Sequence, residues 1–138
     1  MEKQCHNEIV ELHAFFQVWF NGKLEKNEET FNRFPGAVGD KFTLITPSGQ
    51  KHRRNDIIRL VWDAHASRKN TDTAMKIWIE NFEFKELSKD IFLVTYEEWQ
   101  KIDAENKGRL STAIFQKCEN EFNGIKWLHV HETWLNKK

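Results

Sequence analysis

Apolar residues in this chain recur first at helical spacing and later at every second position, and that order limits the folds open to it. From Glu8 to Asn21 the residues Ile9, Leu12, Phe15, Phe16, Trp19 and Phe20 form a wide stripe, while Glu8, Glu11, Gln17 and Asn21 lie mostly away from it. Gly22 supplies the left-handed position that ends such a helix. Asn27 predicts the N-cap of a second, shorter helix, with Glu28 and Glu29 in the first turn, Phe31 and Phe34 as anchors, and Pro35-Gly36 as its stop. Phe42 to Thr46 reads as a short strand closed by the turn Pro47-Ser48-Gly49. A third helix is expected from an Asn55 cap to about Ala66, with Ile57, Ile58, Val61 and Trp62 on its inner face. After that the chain is mostly strand: Met75 to Phe84, Ile91 to Trp99, Arg109 to Lys117 and Trp127 to Trp134, with turns at 87–90, 104–108 and 119–124. Helices first and an antiparallel sheet after argue for an α+β fold rather than alternating α/β units. No repeat, linker or low-complexity segment divides the chain, so residues 1–138 read as one domain.

Charge narrows the function. Lys plus Arg and Asp plus Glu are 21 each, for a formal net charge of zero. A nucleic-acid binder is expected to show a basic excess or stripe, and the one basic cluster, Lys51-His52-Arg53-Arg54, reads as a solvated approach to the third helix. No run reaches the length of a membrane span and no signal peptide is apparent. Cys5 and Cys118 stand alone, without metal-type spacing, which suits free thiols in a reducing cytoplasm. Cys118 in particular lacks a paired histidine and reads as inert.

The strand from Trp127 to Trp134 carries the polar groups that most need explaining. Strict alternation puts Leu128, Val130, Glu132 and Trp134 on one face and Trp127, His129, His131 and Thr133 on the other. A dry carboxylate between Val130 and Trp134 is expected to hold its proton more tightly, as a general base is tuned. The plainer alternative is a structural ion pair, with Arg109 as partner. His129 and His131 have the spacing of two metal ligands on one face, but no third ligand follows at a recognisable spacing. No metal and no cofactor are therefore expected.

Several segments in this order and spacing carry a family resemblance: the aromatic first helix, Phe42-Thr43-Leu44-Ile45-Thr46-Pro47-Ser48-Gly49, the helix ending near His65, Tyr96-Glu97-Glu98-Trp99, Arg109-Leu110-Ser111-Thr112 and the Trp127 to Trp134 strand. Together they resemble the nuclear transport factor 2-like superfamily, in its branch of uncharacterised bacterial domains. The resemblance implies a strongly curved sheet wrapped into a cone, closed by the N-terminal helices and often enclosing a pocket. It also implies a homodimer through the outer sheet face, with His129, His131 and Thr133 turned toward the partner and Leu128, Val130, Glu132 and Trp134 inside. The superfamily includes isomerases, dehydratases and cyclases, but the isomerase's paired acids and tyrosine and the dehydratase's histidine and aspartate find no counterpart at matching positions. The same cone serves enzymes, binders and scaffolds, so activity must be argued from the site.

The expected function is binding of a small, partly apolar molecule in the cone, with Glu132 as polar anchor and Phe16, Trp19, Trp62, Phe115, Val130 and Trp134 as walls. A catalytic version would be proton transfer, isomerisation or dehydration, with Glu132 as base and Tyr96 or His65 as donor. The rival is a non-enzymatic homodimeric scaffold or protein-interaction domain whose cavity is filled by Trp19, Trp62 and Trp134.

Overall fold

The computed structural model describes residues 1–70 and 73–135. Among these residues α1 (Glu2–Phe20) and α2 (Glu28–Phe31) come first, and a third α-helix, α3 (Arg54–Asp63), follows the first two strands. Six strands build one sheet: β1 (Val38–Ile45), β2 (Lys51–Arg53), β3 (Lys76–Ser88), β4 (Ile91–Ile102), β5 (Glu105–Lys117) and β6 (Ile125–Trp134). Their spatial order is β2-β1-β6-β5-β4-β3, an unclosed, curved sheet with helices against one face. The fold is thus the expected α+β cone, with three differences of detail.

First, the sheet is mixed. β1 runs parallel to β6, while every other neighbouring pair is antiparallel. A parallel pair needs a long connection, and here almost the whole sheet lies between the two strands in sequence. Nothing local to either segment could have announced the pairing. Second, Lys51 to Arg53 is an edge strand on β1, not a simple approach to a helix. Arg54 then starts α3 and donates to the Pro35 carbonyl at 2.9 Å. Asn55 is therefore inside the helix, which ends at Asp63 rather than near Ala66, where φ is 60°. Third, α1 begins at Glu2 and its polar flank is partly buried. Gln17 accepts from the Ile77 amide at 2.8 Å, and Asn21 exchanges two bonds with the Met75 backbone at 2.8 and 3.0 Å. These side chains dock the helix onto the start of an edge strand, satisfying backbone groups that the sheet leaves unpaired.

Asn27 caps α2 as expected, accepting from the Thr30 amide at 2.8 Å. Above the sheet, Trp19 is fully buried among Phe15, Phe31, Trp62 and His65, with ring centroids 4.5 to 5.7 Å away. Its indole donates to the Val61 carbonyl at 2.8 Å, which ties α1 to α3. This aromatic layer locks the helices together and leaves the hollow between helices and sheet to other residues.

Candidate functional site

Period two along β4 and β5, carried into β6, sets four cross-strand rows on the concave face. They are Phe92–Phe115–Trp127, Val94–Ala113–Val130, Tyr96–Ser111–Glu132 and Glu98–Arg109–Trp134. The series passes from aromatic, through small aliphatic, to hydroxyl and carboxylate, and then to charge at the exposed rim. One end of the cone is therefore a greasy floor and the other a polar mouth.

The rows align only because β6 breaks its alternation. Ile114 pairs with His129 and Phe115 with Trp127, so Leu128 is an extra residue with no partner on β5. A bulge of this kind reverses the phase of the strand before it. Trp127 consequently turns inward and is 2% exposed, in the place expected for Leu128. Its indole donates to Glu8 Oε2 at 2.9 Å, and Arg33 and Asn123 also donate to that carboxylate. Glu8 was expected on the solvated side of α1 but is fully buried in this network. Val130 and Glu132 remain inward, as expected. Trp134 does not: it lies past the rim, 52% exposed, with its ring 5.1 Å from the Arg109 guanidinium. The strand ends there.

Between helices and sheet lies a cavity of about 320 Å³. Phe16, Phe20, Phe34, Phe42, Leu44, Val130 and Trp127 supply its apolar walls; His13, Tyr96, Glu98, Gln100, Arg109 and Glu132 supply a polar patch. Of the expected walls, Phe16 and Val130 line it. Trp19 and Trp62 belong to the helical layer, Phe115 lies beneath Trp127 at 4.5 Å, and Trp134 is outside. Of the expected reacting groups, Glu132 and Tyr96 meet in one row, but His65 is remote. Its Nε2 bonds to the Leu24 carbonyl oxygen at 2.6 Å and its ring packs on Trp19.

Two residues that sequence reasoning passed over complete the patch. His13 Nδ1 lies 2.7 Å from the Ile9 carbonyl oxygen, and its Nε2 lies 3.0 Å from Glu98 Oε1. Both ring nitrogens thus face acceptors, an arrangement that suits an imidazolium donating to both. Gln100 Nε2 donates to the other Glu98 oxygen at 2.6 Å. Burial opposes charging of His13, but the Glu98 carboxylate outweighs it and raises the imidazole above its usual pKa. Burial likewise pushes Glu98 up, but the imidazolium overrides it and holds the carboxyl well below the ordinary range. Both were readable in principle. His13 sits inside the apolar stripe of α1, one turn after Ile9, and Glu98 continues the Phe92, Val94, Tyr96 alternation of β4.

Glu132 is different. Arg109 Nη1 donates to its Oε1 at 3.1 Å, which is the ion pair anticipated as the plainer reading. Burial nevertheless dominates and raises the Glu132 pKa, with the nearby Glu98 charge pushing the same way. Among the described residues, Glu132 Oε2 makes no hydrogen bond, and the Arg109 side chain makes none besides the one to Glu132. Tyr96, buried beside Ser111, has its pKa raised well above the ordinary value by burial and the two carboxylates, so it stays a neutral hydroxyl. On the outer face, His129 Nδ1 meets Thr43 Oγ1 at 2.7 Å across the parallel pair.

The profile of a family described as sucrose-6-phosphate phosphohydrolase C-terminal matches residues 5–136. Sucrose-phosphatase 2 of Nicotiana tabacum is 24% identical over 130 residues, covering 94% of this chain and 30% of that protein. The chain therefore spans about 30% of the length of the curated relatives it matches. Among solved structures, an NTF-2-like protein of unknown function from Pseudomonas aeruginosa aligns with a TM-score of 0.83 at 20% identity, covering 96% of this chain and 99% of that one. A hexachlorocyclohexane dehydrochlorinase from Novosphingobium barchaimii aligns at 0.64 and 8% identity, covering 92% and 84%. These structural likenesses show a nuclear transport factor 2-like fold and leave the chemistry open.

Proposed function

The chain belongs to the sucrose-6-phosphate phosphohydrolase C-terminal family, and from that membership we propose that it is a ligand-binding domain whose cone holds a small, partly apolar molecule. The observation that carries this is the cavity itself: about 320 Å³, walled by aromatic rings, with Glu132 and Arg109 each keeping hydrogen-bonding capacity unspent on its polar side. Pockets of about 300–1,000 Å³ with apolar walls and a few convergent polar groups are the usual form of small-molecule sites. A cavity filled shut by tryptophans, as the scaffold alternative requires, does not fit the positions of Trp19, Trp62 and Trp134.

The relatives' names suggest where such a domain works, beside the hydrolysis of a sucrose phosphate. In the polar patch two carboxylates, Glu98 and Glu132, act on Arg109, which disfavours a phosphoryl group beside it. Binding rather than hydrolysis is the role assigned to this domain, with proton transfer at Glu132 as its catalytic extension. Pairing of two copies through the outer sheet face belongs to the same reading. Leu110 is 38% exposed there, opposite Thr133, and light scattering at micromolar concentration would return twice the chain mass.

Ala64 lines the cavity from the end of α3 and is half-buried, so Ala64→Phe should fill the space without breaking the fold. Thermal shift with a set of ring alcohols and neutral sugars tests the reading. A ligand at 100 times its Kd should stabilise the native protein by about 2.7 kcal/mol and the Ala64→Phe variant far less. Equal responses of the two proteins, or none from the native one, would remove the cone as the binding site.

A further inference from the structure

Resting on the reading of the cone as a ligand site, we infer that its occupant is a neutral saccharide, and that the site refuses the phosphate ester of the same sugar.

The imidazolium of His13 is matched by Glu98, and the guanidinium of Arg109 is matched by Glu132. Each cation already faces a carboxylate inside a poorly solvated wall, so the patch carries no surplus positive charge to receive an anion. A phosphate placed against Arg109 would also meet Glu132, and Glu98 stands nearby, since both acids act electrostatically on that arginine. Like charges brought together in such a place oppose binding. The hollow next to the mouth does not alter this. It shares Arg68 and Gln100 with the cavity, and its two cations, Arg68 and Lys107, are matched in number by two acids, Asp103 and Glu105.

Hydrogen bonding then selects among neutral molecules. Glu132 Oε2 can only accept while ionised, and the remaining Arg109 N–H groups can only donate. A hydroxyl group does both, and two neighbouring hydroxyls can donate to the carboxylate while accepting from the guanidinium. Tyr96 adds a neutral phenol in the same row as Glu132. The same cavity is lined by the rings of Phe16, Phe20, Phe34 and Phe42, which suit the C–H face of a pyranose or furanose ring. Its polar groups thus favour paired hydroxyls and its rings favour an apolar face. A saccharide ring presents both.

The test compares glucose and sucrose, sucrose 6-phosphate, and cyclohexanol, using saturation-transfer NMR and calorimetric titration on the native protein, Glu132→Gln and Ala64→Phe. Expected is binding of at least one neutral sugar, weakened about tenfold or more in Glu132→Gln, a change in Kd that would mark a lost carboxylate–hydroxyl contact. Sucrose 6-phosphate should bind at least about tenfold more weakly than sucrose. Sucrose 6-phosphate binding as tightly as sucrose overturns the charge argument while leaving the cone as a ligand site. Cyclohexanol binding in an Ala64→Phe-sensitive way, with neither sugar bound, overturns the saccharide class alone. No binding of any probe, or binding indifferent to Ala64→Phe, sinks both this inference and the reading it rests on.

Discussion

His13 illustrates how one side chain can commit a second one far away in sequence. Once its Nδ1 is held by the Ile9 carbonyl, its Nε2 is aimed at Glu98 on β4, and the two buried charges depend on each other. Breaking such a pair on one side leaves an uncompensated charge, whereas replacing both sides can be nearly neutral. His13→Leu should therefore lower unfolding stability by about 3–5 kcal/mol at pH 7, and the double variant His13→Leu/Glu98→Met should regain most of it. Urea denaturation of the three proteins decides this. A double variant no better than the single one would show that His13 acts through packing against Phe16 and Tyr96 instead. Glu8 belongs to the same class of residue, a buried acid satisfied by Arg33, Asn123 and Trp127, but it holds the helix to the rest of the fold and is not among the residues lining the cavity.

At the scale of elements, the site depends on two departures from regular strand geometry. The Leu128 bulge turns Trp127 inward to meet Glu8 and keeps Val130 and Glu132 facing the cavity. The other device is the close fit of β4 on β5 at Trp99 and Gly108, which are direct cross-strand partners. A Cβ on Gly108 would come within 2.6 Å of the Trp99 ring. Gly108 immediately precedes Arg109, so any shift that relieves the clash moves the guanidinium as well. Gly108→Ala should cost about 1–3 kcal/mol, the usual range for overpacking. It should also weaken whatever the cavity binds, and calorimetry alongside thermal melting would report both. An unchanged melting temperature would mean that Trp99 swings aside freely.

For the whole molecule, pH is the variable that acts on the site as a unit. Glu98 has a depressed pKa, so its share of stability is present above the ordinary value of 4.5 and is lost as pH falls through the depressed one. His13 has a raised pKa, so its share is complete below the ordinary 6.5 and is lost as pH rises through the raised one. Glu132, also raised, contributes below 4.5 and loses that contribution as pH rises through its own higher value. Stability should therefore peak in the weakly acidic range and decline on both sides. Urea midpoints measured from about pH 3 to pH 9 should trace that shape, and Glu132→Gln should remove part of the decline above the peak. A midpoint that rises steadily to pH 9 would contradict the assigned directions.

The class of fold and the parity of most of the sheet are legible in local pattern. Local pattern is a property of neighbouring residues, and the α1 stripe, the Asn27 cap and the shared face of Val130 and Glu132 follow from it, whereas the inward turn of that face came from the family resemblance. Arg109 as partner to Glu132 was also legible, because charges need partners when buried. Features set by distant segments emerge only in the folded chain. The parallel pairing of β1 with β6 and the reversal of Trp127 at the bulge both depend on residues far apart in the chain. So does the withdrawal of Trp19, Trp62 and His65 into a helical layer, where each finds its carbonyl or ring partner. Pattern fixes which way a side chain points along its own element. Which other element waits there depends on how the whole chain closes, and that closure made a pocket of one set of aromatics and a solid core of another.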